Sequence, residues 1–247
     1  MKTIGFIGAV SVICALLLST AATGLKERQD QNEALDKKRN ILKAFDVSMK
    51  TDAESGKERR LTADEIDEFF TAHVEVIAID LEGNAYEDID AAALEMKAED
   101  KKAVKSERRY PVFKCTIGDD VAYSVPIIGR GLWSTLYGYF SVEADFNTVK
   151  GITFYKHGET PGLGAEIEQD WFQNNFKRKK IKDPEGKFVS IRVVKGDAQQ
   201  KYGHDPEKLS HCVDGISGAT ITSKGVTAML DEDLRLFLPY FETLEKP

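Results

Sequence analysis

The chain opens with a long apolar run that is followed by a charged segment. No charged side chain occurs from Ile4 to Leu25. These 22 residues, as a helix, are long enough to cross a hydrocarbon core of about 30 Å. From Lys26 to Lys50 the chain is rich in charge, with apolar residues at near-helical spacing. The pattern predicts a transmembrane helix over 4–25 and a stalk or linker over 26–61.

A cleaved signal peptide is the alternative interpretation of the apolar run. Lys2 would supply a short positive segment, and Thr20, Ala21 and Ala22 offer small residues for cleavage. The run is longer than the usual apolar region of about 7–15 residues in a signal peptide. Its length therefore favours a helix that stays attached.

Alternating and helical patterns follow along the rest of the chain. Thr62 and Glu65 form a capping-box signature before a short helix. The remaining predictions before the middle of the chain are a loop over Met49–Thr62, a strand over Val74–Leu81 and a helix over Ala91–Lys105.

From Val112 onward the pattern changes to strands and turns. The predicted strands are Val112–Ile117, Ala122–Ile127, Leu136–Ala144, Val149–Tyr155 and Lys187–Val194, with a hairpin turn at Gly118–Asp120, a helix over Trp171–Lys179 and a turn at Asp183–Gly186. This succession is typical of an α+β fold, in which helices flank an antiparallel sheet. We expect one soluble domain over 62–247.

The segment Asp214–Thr220, with the sequence Asp-Gly-Ile-Ser-Gly-Ala-Thr, carries the clearest chemical signal. Gly215 and Gly218 permit positive φ and a close approach by a bulky group, which leaves the Thr220 hydroxyl uncrowded. A helix over Lys224–Leu236 should follow, with Thr222 or Ser223 as its cap and Lys224 as a counter-charge for an anion at its N-terminus. A Gly-containing turn that merely caps a surface helix is the alternative.

Two further loops combine glycine with apolar or aromatic residues. In Glu159–Gly164 a proline and two glycines let the backbone approach a planar ring, on which Leu163 packs. In Gly129–Trp133 the indole of Trp133 can cover a ring face. Alone, the Glu159–Gly164 loop is better interpreted as an ordinary turn, and Trp133 could equally lie in the core. Together with Thr220, the Glu159–Gly164 loop favours contact with a cofactor ring.

The segment that ends in Thr220 resembles the flavinylation motif of the FMN-binding domain family, and the resemblance extends from about Val125 to Val226. It implies that a flavin transferase joins FMN to Thr220 through a phosphoester, in an FMN-binding region at about 125–236. The expected cofactor-binding residues are Thr220, Asp214, Ser217, Gly218, Ala219, Thr222, Ser223, Lys224, Glu159, Thr160, Gly162, Leu163, Gly164, Leu132 and Trp133. No catalytic acid or base and no metal ligand is expected.

The block Pro126–Ser134, with Tyr137 and Gly138, resembles the branch of this family found in sodium-translocating NADH:quinone reductases. This implies an electron relay through covalent FMN, with the other subunits of a membrane complex as partners. The sequence has no Gly-x-Gly-x-x-Gly turn between a strand and a helix, so NADH oxidation is expected elsewhere in such a complex. The alternatives are an Rnf-type protein or a membrane-anchored FMN redox sensor without sodium pumping.

Net charge and cysteine count limit the possible partners and cross-links of the chain. The net charge of −7 argues against nucleic acid and anionic lipid surfaces as partners. Cys14 lies in the apolar run, which leaves Cys115 and Cys212 as the only other cysteines and gives no disulfide framework.

Two signals disagree about the orientation of the chain in the membrane. Lys26, Arg28 and Lys37 follow the apolar run, and a positive-inside rule would place the large domain inside. The family resemblance implies the periplasmic face of a bacterial inner membrane. The downstream cations are interleaved with acidic residues, so we expect a single-pass protein with a periplasmic domain.

Overall fold

The computed structural model describes residues 2–47, 49–51 and 58–245. The chain divides into two compact units, Met1–Lys38 and Arg39–Pro247. Helix α1 extends from Lys2 to Ala44 and is the one helix in the described residues that is long and apolar enough to cross a membrane. Apolar side chains of its first half, such as Phe6 and Leu18, are exposed.

A six-stranded antiparallel sheet forms the centre of the second unit. Its strand order is β4-β3-β5-β6-β7-β8, and the bounds are β3 Val74–Ile79, β4 Ala85–Tyr86, β5 Tyr110–Ile117, β6 Asp120–Arg130, β7 Thr135–Glu143 and β8 Val149–Lys156. Ile117 pairs with Asp120 across the predicted hairpin turn. The sheet and the helices around it confirm the predicted α+β class.

Helix α7 packs across one face of the sheet and extends from Thr220 to Glu245. Val226, Leu230 and Phe237 on this helix are fully buried, in one cluster with Val125 and Phe140 of the sheet. A smaller apolar cluster covers the opposite face and contains Ile41, Ala44, Phe45, Phe113 and Tyr139. The sheet is thus buried on both faces, which fixes the position of α7.

The other elements are short. They are β1 Met49–Thr51, β2 Glu58–Arg60, α2 Ala63–His73, α3 Met96–Glu99, α4 Asp170–Asn174, β9 Arg192–Val193, α5 Ala198–Tyr202, α6 Pro206–Ser210 and β10 Cys212–Val213. The capping box predicted at Thr62 and Glu65 is present at the start of α2.

Two predictions before the sheet were wrong. Met49–Thr62 is not simply a loop, because Met49 pairs with Arg60 in a two-stranded ribbon of β1 and β2. Residues 52–57 of that prediction lie outside the described residues.

Ala91–Lys105 is not one helix but short turns around α3. The buried Glu99 carboxylate accepts the amide of Arg109, ten positions further along, at 2.9 Å, and this bond to a residue beyond the predicted helix competes with helix propensity.

Two predictions after the sheet were also wrong. The helix predicted over Trp171–Lys179 ends at Asn174, since Arg178 has a positive φ of 63° and its amide returns to the Val149 carbonyl at 2.9 Å. The strand predicted over Lys187–Val194 is reduced to β9, because Ser190 has a φ of 60° and interrupts the extended backbone.

Candidate cofactor site

The buried carboxylate of Glu159 joins three segments that are distant in the sequence. It accepts amide hydrogen bonds from Leu132 at 3.1 Å, Trp133 at 2.9 Å and Ser134 at 3.1 Å. The Thr222 hydroxyl donates a fourth hydrogen bond at 2.6 Å. The loop before β7, the loop after β8 and the first turn of α7 therefore meet at one side chain.

The four donors also determine the charge of Glu159. Burial works to raise the pKa of this carboxyl group. The hydrogen bonds from Thr222 and from the amides of Trp133, Ser134 and Leu132 outweigh burial and hold the pKa below its ordinary value. The ionised form of Glu159 is thus favoured, and both of its carboxylate oxygens accept hydrogen bonds from the protein.

Two glycines make room for this carboxylate. A Cβ added at Gly131 would lie 2.5 Å from Oε1 of Glu159. A Cβ added at Gly164 would lie 2.6 Å from Oγ1 of Thr222 and 2.8 Å from Oε2 of Glu159. A side chain at either position would force the Glu159 carboxylate and its hydrogen-bond partners to shift. Gly164 belongs to the predicted set, whereas Gly131 was missed although it lies within the Gly129–Trp133 loop.

Thr220 is the first residue of α7 and its side chain is exposed. Gly218 has a positive φ of 74°, and the Ala219 amide donates to the Ile216 carbonyl at 3.1 Å, so a tight turn leads into the helix. The amide groups of a first helical turn have no partner within the helix and attract an anion. A phosphate on the Thr220 hydroxyl would lie beside them.

The predicted start of this helix was wrong. We expected a helix from Lys224 with Thr222 or Ser223 as its cap, but α7 begins four residues earlier. Thr222 lies inside the first turn and donates to Glu159. Ser223 is buried there, and its amide closes the first turn on the Ala219 carbonyl at 2.9 Å. The turn at Gly218 makes the earlier start possible.

Exposed apolar side chains surround the attachment position. Those on the joined segments are Leu132 at 43%, Trp133 at 72%, Leu163 at 42% and Ile221 at 55% exposure. We refer to these four as the apolar platform. A Cβ added at Gly218 would lie 2.7 Å from Cδ2 of Leu163, so Leu163 packs against the backbone two residues before Thr220. Such a patch on an otherwise acidic domain is suited to a planar ligand.

A groove with a volume of about 930 Å³ extends along α7 from Thr220. Five predicted residues line it, namely Ser217, Gly218, Thr220, Ser223 and Lys224. Ser190 and Ser223 also line the groove, and their buried hydroxyls have no hydrogen-bond partner among the described residues. The exposed polar residues of the lining that lie within four positions of Thr220 are Ser217 and Lys224.

Three predicted residues, Asp214, Thr160 and Gly162, lie in loops and do not line the groove. Oδ1 of Asp214 accepts the Ala198 amide at 2.8 Å. The Thr160 carbonyl accepts the amides of Leu163 and Ala165, each at 3.1 Å. Gly162 is exposed with a φ of 73°. Asp214 and Thr160 thus stabilise loops through hydrogen bonds to backbone amides, and Ala219, also in the predicted set, is buried.

Sequence reasoning missed the contact between Gly225 and the end of β6. A Cβ added at Gly225 would lie 2.1 Å from the Arg130 carbonyl oxygen and 3.4 Å from Cα of Gly131. The second turn of α7 thus touches the backbone that leads into the apolar platform. Gly225 lies inside the predicted helix over Lys224–Leu236. This position could have indicated the contact, since a glycine within a helical pattern often has a packing reason.

Comparison with known proteins places this geometry in a family. Residues 131–235 match the FMN-binding domain family. The NqrC subunit of the Na⁺-translocating NADH-quinone reductase from Vibrio anguillarum is 35% identical over 246 residues, which covers 93% of this chain and 88% of the relative. Its counterpart in the reductase of Yersinia pestis is 33% identical over 242 residues, with 91% and 85% coverage.

Two solved structures agree with the fold. The crystal structure of the same subunit from Parabacteroides distasonis has a TM-score of 0.71 at 34% identity, covering 88% of this chain and 96% of that one. NqrC of Shewanella oneidensis has a TM-score of 0.69 at 30% identity, with 89% and 100% coverage. Sequence and structure therefore agree along nearly the whole chain, which belongs to the NqrC family of Na⁺-translocating NADH-quinone reductase subunits.

Proposed function

We propose that Thr220 carries FMN through a phosphoester and that the chain relays electrons as the NqrC subunit of a Na⁺-translocating NADH-quinone reductase. The observation that carries the proposal is the exposed Thr220 hydroxyl at the first position of α7, within the region that matches the FMN-binding domain. The relatives are named as subunits of this reductase, which supports the choice of complex. The sequence Ser-Gly-Ala-Thr supports Thr220 as the attachment residue.

The residues around Thr220 fit the parts of FMN. The first-turn amides of α7 and the Lys224 side chain suit the phosphate. Ser217 and Lys224 are exposed and line the adjoining groove, which gives it hydrogen-bonding capacity for a polyhydroxyl chain. The apolar platform suits the flat ring system, with Trp133 and Leu163 as its packing surfaces.

Bound FMN supplies the electron-carrying chemistry, and the protein supplies position and surroundings. Glu159 holds the loop of Trp133 against the first turn of α7 through its four hydrogen bonds. A tether at the phosphate end keeps the cofactor on the chain while the ring edge remains accessible. Such an arrangement suits a relay rather than an enzyme that exchanges its ligands.

The family and the apolar start of α1 support membrane attachment. The finer proposal is a single pass over 4–25, a stalk over 26–61 and a domain over 62–247 on the periplasmic face. A flavin transferase would then act on the exposed Thr220 at that face. Protease added to intact spheroplasts should digest the domain, and protection from the protease would reverse the orientation.

Substitution of the attachment residue tests the central proposal. Thr220→Ala should abolish flavin fluorescence in a denaturing gel and remove the FMN mass from the protein. Thr220→Ser keeps a hydroxyl and should retain the label. An exposed threonine of a helix costs little to replace, so both variants should fold with an unfolding free energy within about 1 kcal/mol of the parent. A label that persists on Thr220→Ala would refute the attachment.

A further inference from the structure

The groove beside Thr220 has a wall that helix α7 does not supply. Segment 189–196 and the end of α5 contribute to this wall, and three of its residues are cationic, namely Arg192, Lys195 and Lys201. We call these three residues the cationic wall. None of them was expected from the sequence to bind the cofactor.

The charges of the cationic wall are accessible to a ligand. Arg192, Lys195 and Lys201 are exposed, as is Lys224 on α7. Within residues 2–47, 49–51 and 58–245 none of the four makes an ion pair, and the Lys201 ammonium group lies 5.0 Å from the centre of the Tyr202 ring. The described carboxylates therefore leave these cations available to an anionic ligand.

Backbone contacts bring Lys195 to the turn that leads into Thr220. The Gly215 amide donates to the Gly196 carbonyl at 2.8 Å. A Cβ added at Gly215 would overlap the Val194 carbonyl oxygen. The backbone on both sides of Lys195 thus contacts the residue five positions before Thr220, and Lys195 and Thr220 line the same groove.

Arg192 lies further along the groove. The amide of the next residue, Val193, donates to the Thr227 hydroxyl at 3.0 Å. Thr227 follows Thr220 by seven positions, which corresponds to about 10 Å along the helix. Lys195 is therefore the residue of the cationic wall that these backbone contacts place nearer to the start of α7.

The carboxylates of the groove are distant from the start of α7. Asp231 and Glu232 line the groove 11 and 12 positions after Thr220, about 17 Å along the helix. Asp231 also pairs with Arg235 at 2.9 Å, and Arg235 does not belong to the lining. The groove is thus positive near Thr220, in contrast to the net charge of −7 of the whole chain.

The groove and the apolar platform are separate surfaces, because none of the four platform residues lines the groove. A flavin attached at Thr220 would find counter-charges for its phosphate on one surface and a packing surface for its ring on the other. Riboflavin has the same ring system and no phosphate. The two contributions to binding can therefore be measured separately.

We propose that Lys195 is a phosphate-binding residue of the flavin site, which acts with Lys224 and makes the site select a phosphorylated flavin over riboflavin before attachment. The inference rests on the proposed function, since it concerns the flavin that Thr220 carries. A phosphate monoester has a charge of about −1.5 to −2 at pH 7, and ammonium groups form strong charge-assisted hydrogen bonds with it. Lys224, one helical turn after Thr220, and Lys195 would meet this charge from two walls.

Binding of free flavins to the full-length Thr220→Ala chain in detergent tests this inference. The mass of the variant is measured first, since a flavin mass on Thr220→Ala would refute the attachment at Thr220 and this inference with it. FMN and riboflavin are then titrated, and fluorescence anisotropy gives each dissociation constant. We expect FMN to bind at least about tenfold more tightly than riboflavin, with a smaller difference at high ionic strength.

Substitutions in the Thr220→Ala background locate the effect. Lys195→Gln should weaken FMN binding about tenfold, the usual scale for one charged hydrogen-bonding partner, and leave riboflavin binding unchanged. Lys195→Arg keeps the charge and should retain most of the affinity for FMN. Lys187→Gln, at an exposed position outside the groove lining, should change neither affinity.

The comparison of the two flavins separates phosphate binding from a structural role. A loss of FMN affinity alone in Lys195→Gln, with retention in Lys195→Arg, supports the inference. An equal loss of both affinities would mean that Lys195 only supports the fold of the groove, and would overturn it. Equal affinities of Thr220→Ala for FMN and riboflavin would overturn it too, as would the absence of measurable binding of either flavin.

Discussion

The hydroxyl of Thr222 donates a hydrogen bond of 2.6 Å to the carboxylate of Glu159, although 63 positions separate the two residues in the sequence. Both side chains are buried. This bond connects the first turn of α7, which begins with Thr220, to the loop that carries Leu163. It therefore couples the proposed attachment residue to the surface on which the ring would lie.

Removal of this hydroxyl should loosen the site. Thr222→Val keeps the shape of the side chain but withdraws one of four donors from a buried, ionised carboxylate. We expect a loss of about 2 kcal/mol in unfolding free energy, measured by urea denaturation, and a lower yield of flavin incorporation. Thr243→Val is the matched control, since that hydroxyl also lies on α7 but bonds only the Tyr240 carbonyl. Equal effects of the two substitutions would contradict the role of Thr222.

Trp133 should affect the flavin without affecting the fold. Its side chain is 72% exposed, so Trp133→Ala should leave the thermal midpoint nearly unchanged. An indole that packs on a flavin ring quenches its emission, so the flavin fluorescence of the native protein should rise. Trp171→Ala, the substitution of the other tryptophan, should leave the emission as it was. An unchanged signal in Trp133→Ala would place the ring elsewhere.

Stability should depend on pH through Asp233. Burial raises the pKa of this carboxyl group to about 7, although the Ile128 amide donates to it. A pKa raised above the unfolded value means that the protonated form is favoured in the folded state. The contribution of Asp233 to stability is thus full below about pH 4 and is lost as the pH rises through about 7, by at most about 4 kcal/mol.

Asp233→Asn tests this dependence. The amide oxygen can still accept the Ile128 amide, and the side chain no longer ionises. Urea denaturation between pH 4 and pH 8 should show a flatter profile and higher stability above pH 7 than in the parent. Asp231→Asn, at an exposed position of the same helix, should keep the parental profile. A parental slope in Asp233→Asn would assign the pH dependence to another group.

Gly225 should tolerate no side chain. The added methyl group of Gly225→Ala would lie 2.1 Å from the Arg130 carbonyl oxygen, so the helix must shift. We expect a loss of about 3 kcal/mol in spite of the higher helix propensity of alanine. Gly24→Ala is the control, because a Cβ there meets nothing within 4 Å. A fully stable Gly225→Ala would show that this contact is not restrictive.

The flavinylated chain alone should not oxidise NADH. The sequence contains no Gly-x-Gly-x-x-Gly turn between a strand and a helix that would hold a dinucleotide. In anaerobic stopped-flow measurements, excess NADH should bleach the flavin band only slowly, whereas dithionite should reduce it fully. Rapid and saturable reduction by NADH would make this chain the dehydrogenase.

The central sheet could be predicted because its strands depend on local signals. The alternation from Val112 onward and the turn at Gly118 gave strands close to the observed β5 and β6. The helix predicted over Ala91–Lys105 failed because the buried Glu99 carboxylate accepts the amide of Arg109, which lies beyond the predicted helix. Helix propensity describes the preference of each residue type and gives no information about such contacts.

The candidate cofactor site was also predictable only in part. Thr220 and the Glu159–Gly164 loop carry recognisable short motifs. The role of Glu159 as the junction of three segments depends on the fold, since its amide donors lie 25–27 positions away in the sequence. The requirement for glycine at Gly131 and Gly225 depends on the same packing. Residue type and spacing alone could not show which loops converge.

The contact between Gly225 and Arg130 also limits how the proposed relay can operate. Backbone meets backbone there without an intervening side chain, so a change of side-chain rotamer cannot alter the spacing between α7 and the backbone before Trp133. The flavin tether then contributes only the torsions of its own chain. A large change in the distance between this flavin and a redox centre elsewhere in the complex would require α7 and the loop of Trp133 to move together.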